Sequence, residues 1–503
     1  MRTRRDVWKL AGDPTDKTLY WYSVAVKNMQ ARFFDKPLSW KFQAAVHGYD
    51  ASLYPPLRAG ESLPSAAIQG TYWDQCEHAS WYFLPWHRIF IFLFEQICRD
   101  VILENNGPEE WALPYWDYSH PSTAKQRSLP DAFRDALVSG GAPNPLYADR
   151  GPGVNTGGVV GTDRQSENKT CLKSRVFSGT VPSGFGGGAS TPMQFSSYTG
   201  NCENVPHNAM HDAIGGLTGW MDNPLSAALD PIFWLHHANI DRLWVIWEKD
   251  PTHTPPPDAA WNNQTFDFFD PRGNPKKYAV RDVLHTTGPL CDYVYEDIIN
   301  PLTLPAAAVG TTSSGKPLDT MAMKAMRKSQ MIGASTEPSV TLGDGVASVS
   351  FALHPPAPIS DIGKRVLSQA GTEVEPRVHL ALENVTAREK PIHTYEVYVN
   401  VPEGEPPRNH PELFAGLITR FGLVEASRAK GKHGDQGVNL SFDITDIVSH
   451  LRRAKSWNPD SVRVTFAPHD GHEDTSLASE RRPVPERRPV TVGRVSVYTQ
   501  LGV

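Results

Sequence analysis

Histidines set into apolar, helix-forming sequence constrain this chain more than any other feature. The stretch CEHASWYFLPWHR, residues 76–88, carries His78 and His87 among aromatic and aliphatic residues. An imidazole in a segment bound for the interior needs a partner there. Pro85 suits the first turn of a helix that continues through RIFIFLFEQICRDVI, apolar on most sides, with His87 in that turn and His78 in the loop before it. In PHNAMHD, His207 and His211 stand at i and i+4, on one face of a short helix that Gly215 and Gly216 end. Asp230 reads as an N-cap and Pro231 as the first residue of a core helix over 231–249, which holds His236 and His237. Neighbours on a helix diverge by about 100°, so one of that pair faces a shared centre. His47 lies on a helix that starts behind the N-cap Ser39 and runs to residue 50; alone it reads as a packing residue at a helix end.

Composition excludes several classes. At 503 residues with 40% hydrophobic content, the chain can bury a sizeable core and hold two or three domains. A net charge of -6 and the lack of a long basic run leave no nucleic-acid footprint; the arginine pairs of ERRPVPERRPV read as a solvated loop or edge. No window approaches the roughly 18–20 apolar residues of a membrane span. The N-terminus, MRTRRDVWKLAGDPTDK, has paired arginines without an apolar stretch behind them. These features imply a soluble protein, cytoplasmic as given, and secreted only if a leader has been removed or a carrier partner is used. Five cysteines are too few for a disulfide scaffold, although Cys171 and Cys202 could close a loop in an oxidising compartment.

The pattern changes along the chain. Residues 18–33 have helical apolar spacing, and 140–200, rich in Gly, Ser, Pro and Asn, read as a long mobile loop or lid. Residues 301–335 resemble a linker. Beyond them the period becomes two, in SVTLGDGVASVSFAL, RVHLALENV, IHTYEVYVNV, VNLSFDITDIV, SVRVTFAP and VGRVSVYTQ. The expectation is a mainly α core domain over 1–300, with a four-helix bundle holding a dinuclear site, then the linker, then an antiparallel β-sandwich over 336–503.

Six imidazoles, from His47, His78, His87, His207, His211 and one of His236 or His237, divide into three for each of two metals. Nitrogen-only donors suit copper or zinc, and dinuclear zinc sites normally add a carboxylate, so copper is favoured. The motifs CEHASWYFLPWHR, PHNAMHD and DPIFWLHHANIDRLW resemble the two copper-binding regions of the type-3 copper proteins, the tyrosinases, catechol oxidases and molluscan haemocyanins. The resemblance covers roughly residues 3–298. It implies that His47, His78 and His87 bind one copper ion and His207, His211 and His237 the other, with His236 a neighbour and dioxygen the co-substrate. Cys76, two residues before His78, implies a thioether between them, as in fungal tyrosinases and molluscan haemocyanins.

The C-terminal part resembles plant polyphenol oxidases, through Tyr293-Val-Tyr295 at the end of the core domain and through YEVYVNV and HPELFAGLITRFG beyond it. That resemblance implies a domain that lies over the copper site and keeps the enzyme latent. Phe233 matches the position that reaches over the second copper, and Glu203 and Asn208 match residues that hold and orient a water for monophenol deprotonation. Asp241, one turn after His237, is expected to orient a ligand. The implied reaction is oxidation of small phenols, monophenols to o-diphenols and o-diphenols to o-quinones. An o-aminophenol oxidase and a haemocyanin-like oxygen carrier are the competing readings, and the oligomeric state is not legible.

Overall fold

A computed structural model describes residues 1–119, 124–192, 198–253, 256, 258–302, 329–354, 376–428, 436–469 and 488–500. The histidines are framed by α1 (Thr18–Ala31), α2 (Trp40–His47), α3 (Phe83–Glu104), α4 (Ala209–Gly215) and α5 (Ile232–Glu248). Apolar residues cover nearly the whole circumference of α3 and α5, so both run through the interior. They meet where Phe94 stacks on Trp234 with ring centroids 3.5 Å apart.

Helix ends set where the histidines fall. Ser39 caps α2 by accepting from the Phe42 N–H. The helix stops at His47, three residues short of the sequence expectation, because the chain there runs against another backbone: a Cβ on Gly48 would lie 2.5 Å from the Pro224 carbonyl oxygen. Asp230 accepts from the Ile232 N–H at 3.0 Å and so caps α5 from just outside it. A kink at Val205 (φ -138°, ψ 122°) separates α4 from the turn before it.

The Gly-rich region after 140 differs from the expected mobile lid over its described part. Phe177 and Phe185 are buried, and Phe185 stacks on Trp247 of α5 at 5.1 Å. Two aromatic anchors outweigh the glycines around them.

Asp241 also departs from expectation. It touches no histidine; Oδ1 accepts from Arg88 Nε, and Oδ2 from the hydroxyls of Tyr293 and Tyr295, both at 2.6 Å. Arg4, paired with Glu95, lies 3.4 Å away. The spacing fits a ligand-facing turn, but two buried guanidiniums need the charge more. The strand pair Arg2–Arg4 and Tyr293–Tyr295 thereby closes the core domain against α3 and α5.

The C-terminal part forms two antiparallel sheets from β1 (Gln330–Ala334), β2 (Val340–Leu342), β3 (Ala347–Phe351), β4 (Arg377–Ala387), β5 (Thr394–Val399), β6 (Phe414–Ile418), β7 (Val438–Asp443), β8 (Val462–His469) and β9 (Val490–Gln500). One sheet has the order β6-β5-β8-β3; the other has β7-β4-β9-β1, with β2 also on β9. Both contribute to one apolar core, as the alternation required. Two details differ. β1 occupies the last residues of the expected linker, and the sequence after Asp443, read as strand, turns into the helix Thr445–Arg453. The linker's residues 303–328 lie outside the described residues. No helix among the described residues is long and apolar enough to cross a membrane.

Asp241→Asn leaves Arg4 and Arg88 buried with too little negative charge, and should cost about 3–5 kcal/mol in denaturant unfolding. A loss under about 1 kcal/mol would show that the tyrosines alone satisfy the arginines.

Candidate dinuclear metal centre

Backbone carbonyls orient several of the imidazoles. His47 Nδ1–H donates to Pro224 O at 2.8 Å, His87 Nδ1–H to Phe83 O at 2.8 Å and His211 Nδ1–H to Met221 O at 2.7 Å. Each bond fixes the tautomer and turns the Nε2 lone pair the other way, toward the centre. His207 Nδ1–H donates at 2.7 Å to Oδ1 of Asn208. The close approach of Gly48 to Pro224 is thus what gives His47 its acceptor.

The ring nitrogens converge. Those of His207, His211, His236 and His237 lie within 4.8 Å of one another; His47, His87 and His237 form a second such group, and His47, His78 and the Cys76 sulfur a third. His207 Nε2 and His237 Nε2 are 3.3 Å apart, and the rings of His87 and His237 stack at 4.4 Å. His237 belongs to two groups and so lies between the halves of the cluster. His236 turns its Nδ1 to the Tyr118 hydroxyl, 3.0 Å away. Phe233 packs on His237 at 4.3 Å and on His47 at 4.9 Å, fully buried.

Burial first, and neighbouring imidazoles second, hold the pKa values of His87, His207, His211 and His237 well below the usual range. Burial alone takes His236 down to about 3. Neutral imidazoles at neutral pH are metal ligands, not cations. The Nε2 atoms of His87 and His211 are buried without a hydrogen-bond partner, a cost that a metal ion would relieve. The donor groups hold only imidazole and one thiol, with no carboxylate among the described residues. This set fits copper.

Glu203 accepts from the Ala79 N–H through Oε1 at 2.7 Å, while Oε2 is buried without a partner. Burial pushes its pKa up to about 8. A cavity of about 20 Å³, room for one water, is lined by Glu203, Asn208, His78, Thr419 and Phe421. Cys171 and Cys202 are buried free thiols.

The sequence reading missed the residue that covers the cluster. Phe421, from the C-terminal domain, stacks on His211 with centroids 3.9 Å apart and an interplanar angle of 19°, and stands edge-on to His207 and His78 at 5.6 and 5.7 Å. It sits on the turn Arg420–Leu423, closed by Leu423 N–H donating to Arg420 O at 3.1 Å, with Gly422 at φ 72°. Arg420 anchors the turn: its N–H donates to Asp212 Oδ2 at 2.7 Å, and its guanidinium reaches Gly216 O at 2.9 Å and Asp222 at 3.1 Å. Lys390 adds a second cation on Asp222, yet burial outweighs both cations and pushes its pKa up to about 7.

Comparison with known proteins agrees with this geometry. The common central domain of tyrosinase matches residues 37–250, and a domain of unknown function matches 328–500. Tyrosinase HcTyr1 of Hahella sp. (strain CCB-MM4) is 32% identical over 523 residues that span 100% of both chains. The chain belongs to the tyrosinase family. That family is one of copper-dependent phenol oxidation at a dinuclear site, so the chain is an oxidoreductase. The chloroplastic latent-form polyphenol oxidase of Prunus armeniaca is 28% identical over 90% of this chain and 71% of its own. The structure of latent apple tyrosinase superposes with a TM-score of 0.64 at 23% identity, covering 99% of this chain and 97% of that one, and so shares its fold through both domains.

Between a carboxyl's ordinary value near 4.5 and about 8, folded Glu203 keeps a proton that the unfolded chain has lost, so this residue makes stability fall as pH rises through that window. In thermal unfolding of chelator-stripped protein from pH 5 to 8, Glu203→Gln should flatten the decline. Parallel wild-type and variant curves would show that Glu203 titrates normally.

Proposed function

We propose that this chain is a latent tyrosinase of polyphenol oxidase type, which hydroxylates monophenols ortho to the hydroxyl and oxidises o-diphenols to o-quinones with dioxygen. The observation that carries this reading is a converging set of neutral imidazoles, three of them oriented by carbonyls, covered by the Phe421 ring of the C-terminal domain. His47, His78 and His87 would hold one copper ion and His207, His211 and His237 the other. The choice of His237 over His236 is supported by its membership of both histidine groups. A thioether between Cys76 and His78 is supported by the sulfur lying within 4.8 Å of a His78 ring nitrogen.

A bound copper pair supplies the two-electron reduction of dioxygen. The protein's part is to position the phenol and to manage its proton. The Phe233 ring, beside His47 and His237, offers an aromatic surface against which a phenolic ring can pack. Glu203 Oε2 and the Asn208 side chain can fix one water in the cavity between them, and that water would accept the phenol's proton. The positive charge of two copper ions favours the ionised Glu203 that this requires, against the effect of burial.

Phe421 occupies the place where a substrate ring would stack on His211, so it accounts for latency by direct exclusion. Displacement of the C-terminal domain, or cleavage within 300–335, would lift it.

Copper-loaded full-length protein should bind two copper ions per chain, and His211→Ala should bind one. Assayed in parallel with tyramine, catechol and o-aminophenol after proteolysis, the wild type should turn over all phenols, and Asn208→Gly should lose more tyramine than catechol activity. Dioxygen binding without quinone formation would instead mark a carrier, and turnover of o-aminophenol alone an aminophenol oxidase.

Phe421→Ala should raise catechol turnover of the uncut chain at least severalfold and shrink the gain from proteolysis. An unchanged uncut rate would remove Phe421 from the latency device.

A further inference from the structure

The segment of the C-terminal domain from the end of β6 to Phe421 lies on the core domain as a bound peptide would. At one end Asn204 Nδ2 donates to Leu417 O at 3.1 Å, and the Thr419 hydroxyl donates to Asn204 Oδ1 at 3.3 Å. At the other, the Arg420 N–H donates to Asp212 Oδ2 at 2.7 Å, and the next residue, Phe421, stacks on His211. Two of these bonds go to main-chain atoms, which any polypeptide carries. Main-chain hydrogen bonds, with pockets for particular side chains, are how extended peptides are recognised.

Two side chains of the segment fill pockets of opposite character. Phe421 lies on the flat face of an imidazole, a place for an aromatic ring. Arg420 points among acceptors only: its guanidinium lies 3.1 Å from Asp222 and donates to Gly216 O at 2.9 Å and to Asp212 O at 3.2 Å. Asp212 follows His211 directly, and Asp222 follows Met221, whose carbonyl orients the His211 ring. The acid pocket is therefore built on the same turns as the ring pocket and keeps its distance from it.

The acid pocket has no cation from its own domain. Among the described residues, Asp212 and Asp222 pair only with Arg420 and Lys390, both of the C-terminal domain. Asp212 Oδ1 lacks a hydrogen-bond partner even with that domain in place. Displacement of the domain thus leaves the ring pocket open beside two carboxylates and two carbonyl oxygens. A guanidinium one residue before an aromatic ring restores what is lost; a neutral side chain leaves these acceptors unmet, and a carboxylate there meets like charge.

We propose that the uncovered centre acts on tyrosines of polypeptides and selects those directly preceded by arginine, with the arginine in the place of Arg420 and the tyrosine ring in the place of Phe421. This rests on the tyrosinase reading above and adds a substrate class to it. The ring gives up its hydroxyl hydrogen and one ortho hydrogen, gains one oxygen atom of dioxygen and becomes an o-quinone; the second oxygen atom leaves with both hydrogens as water.

The test uses the copper-loaded full chain, cut within 300–335 with neither fragment removed, and three blocked peptides that copy residues 419–422 with tyrosine for Phe421: acetyl-Thr-Arg-Tyr-Gly-amide and its versions with Gln or Glu for Arg. The Arg peptide should exceed the Gln peptide in kcat/KM by about tenfold or more, with the Glu peptide slowest. Asp222→Asn should remove most of that preference, which is read as a ratio within one preparation, so lost copper lowers both rates together. Should this variant fail to fold, the wild-type preference should shrink as salt rises. Catechol separates the two readings. Catechol turnover with equal rates on the peptides, or a preference that neither Asp222→Asn nor salt reduces, overturns the proposal and leaves the tyrosinase reading standing. Without catechol turnover that reading fails, and calorimetric binding of the same peptides with Phe for Tyr decides: the Arg peptide should bind about tenfold tighter than the Gln peptide, and equal or absent binding overturns the proposal.

Discussion

Three imidazoles of the centre depend on a hydrogen bond from Nδ1–H to a backbone carbonyl. Pro224, Phe83 and Met221 supply the oxygens for His47, His87 and His211. A carbonyl cannot rotate or ionise, so each ring is fixed in one tautomer with Nε2 directed inward. Two of the carbonyls are available because the backbone is irregular where they lie: Pro224 sits in a loop that Gly48 approaches closely, and Met221 in a short turn after α4. The loops around the bundle are therefore part of the ligand system.

That arrangement demands a dry interior, which brings its own electrostatic cost. The core helices carry Arg88 and Asp241 buried, and the N-terminal strand brings Arg4 to the same place. Removing any one of these charges would strand the others, so the two tyrosines and the paired acids make the network complete or useless. Its position, one turn beyond His237, ties the long helices together without touching a ligand. Asp241 thus keeps the helix that bears His236 and His237 in place, while carbonyls fix the tautomers of His47, His87 and His211.

The same logic governs the second domain. Asp212 comes directly after His211 and is buried, as is Asp222, and both would be costly without a cation. The C-terminal domain provides Arg420 and Lys390, and Phe421 comes with Arg420 onto the histidines. A charge pair at the edge of the site positions an apolar group at its centre. Were the domain displaced as proposed, the rings would be uncovered and the two acids would be left to water, which solvates them.

Local pattern in the chain was enough to indicate the helical and strand periods, the caps at Ser39 and Asp230, and a cluster of imidazoles suited to a metal. Imidazoles in apolar helices have few physical uses, and the i, i+4 pair His207 and His211 needed only local geometry. Contacts between residues hundreds of positions apart were decided by tertiary packing. That packing gave Asp241 to two arginines, laid the Gly-rich region onto Trp247, began the sandwich at Gln330, and set Phe421 on His211. Nothing local marks Phe421 among the chain's phenylalanines, because its role lies in where the Arg420–Leu423 turn docks. Periods and caps are written in residue spacing; partner choice among buried charges and rings depends on which surfaces meet, and only the folded chain contains that.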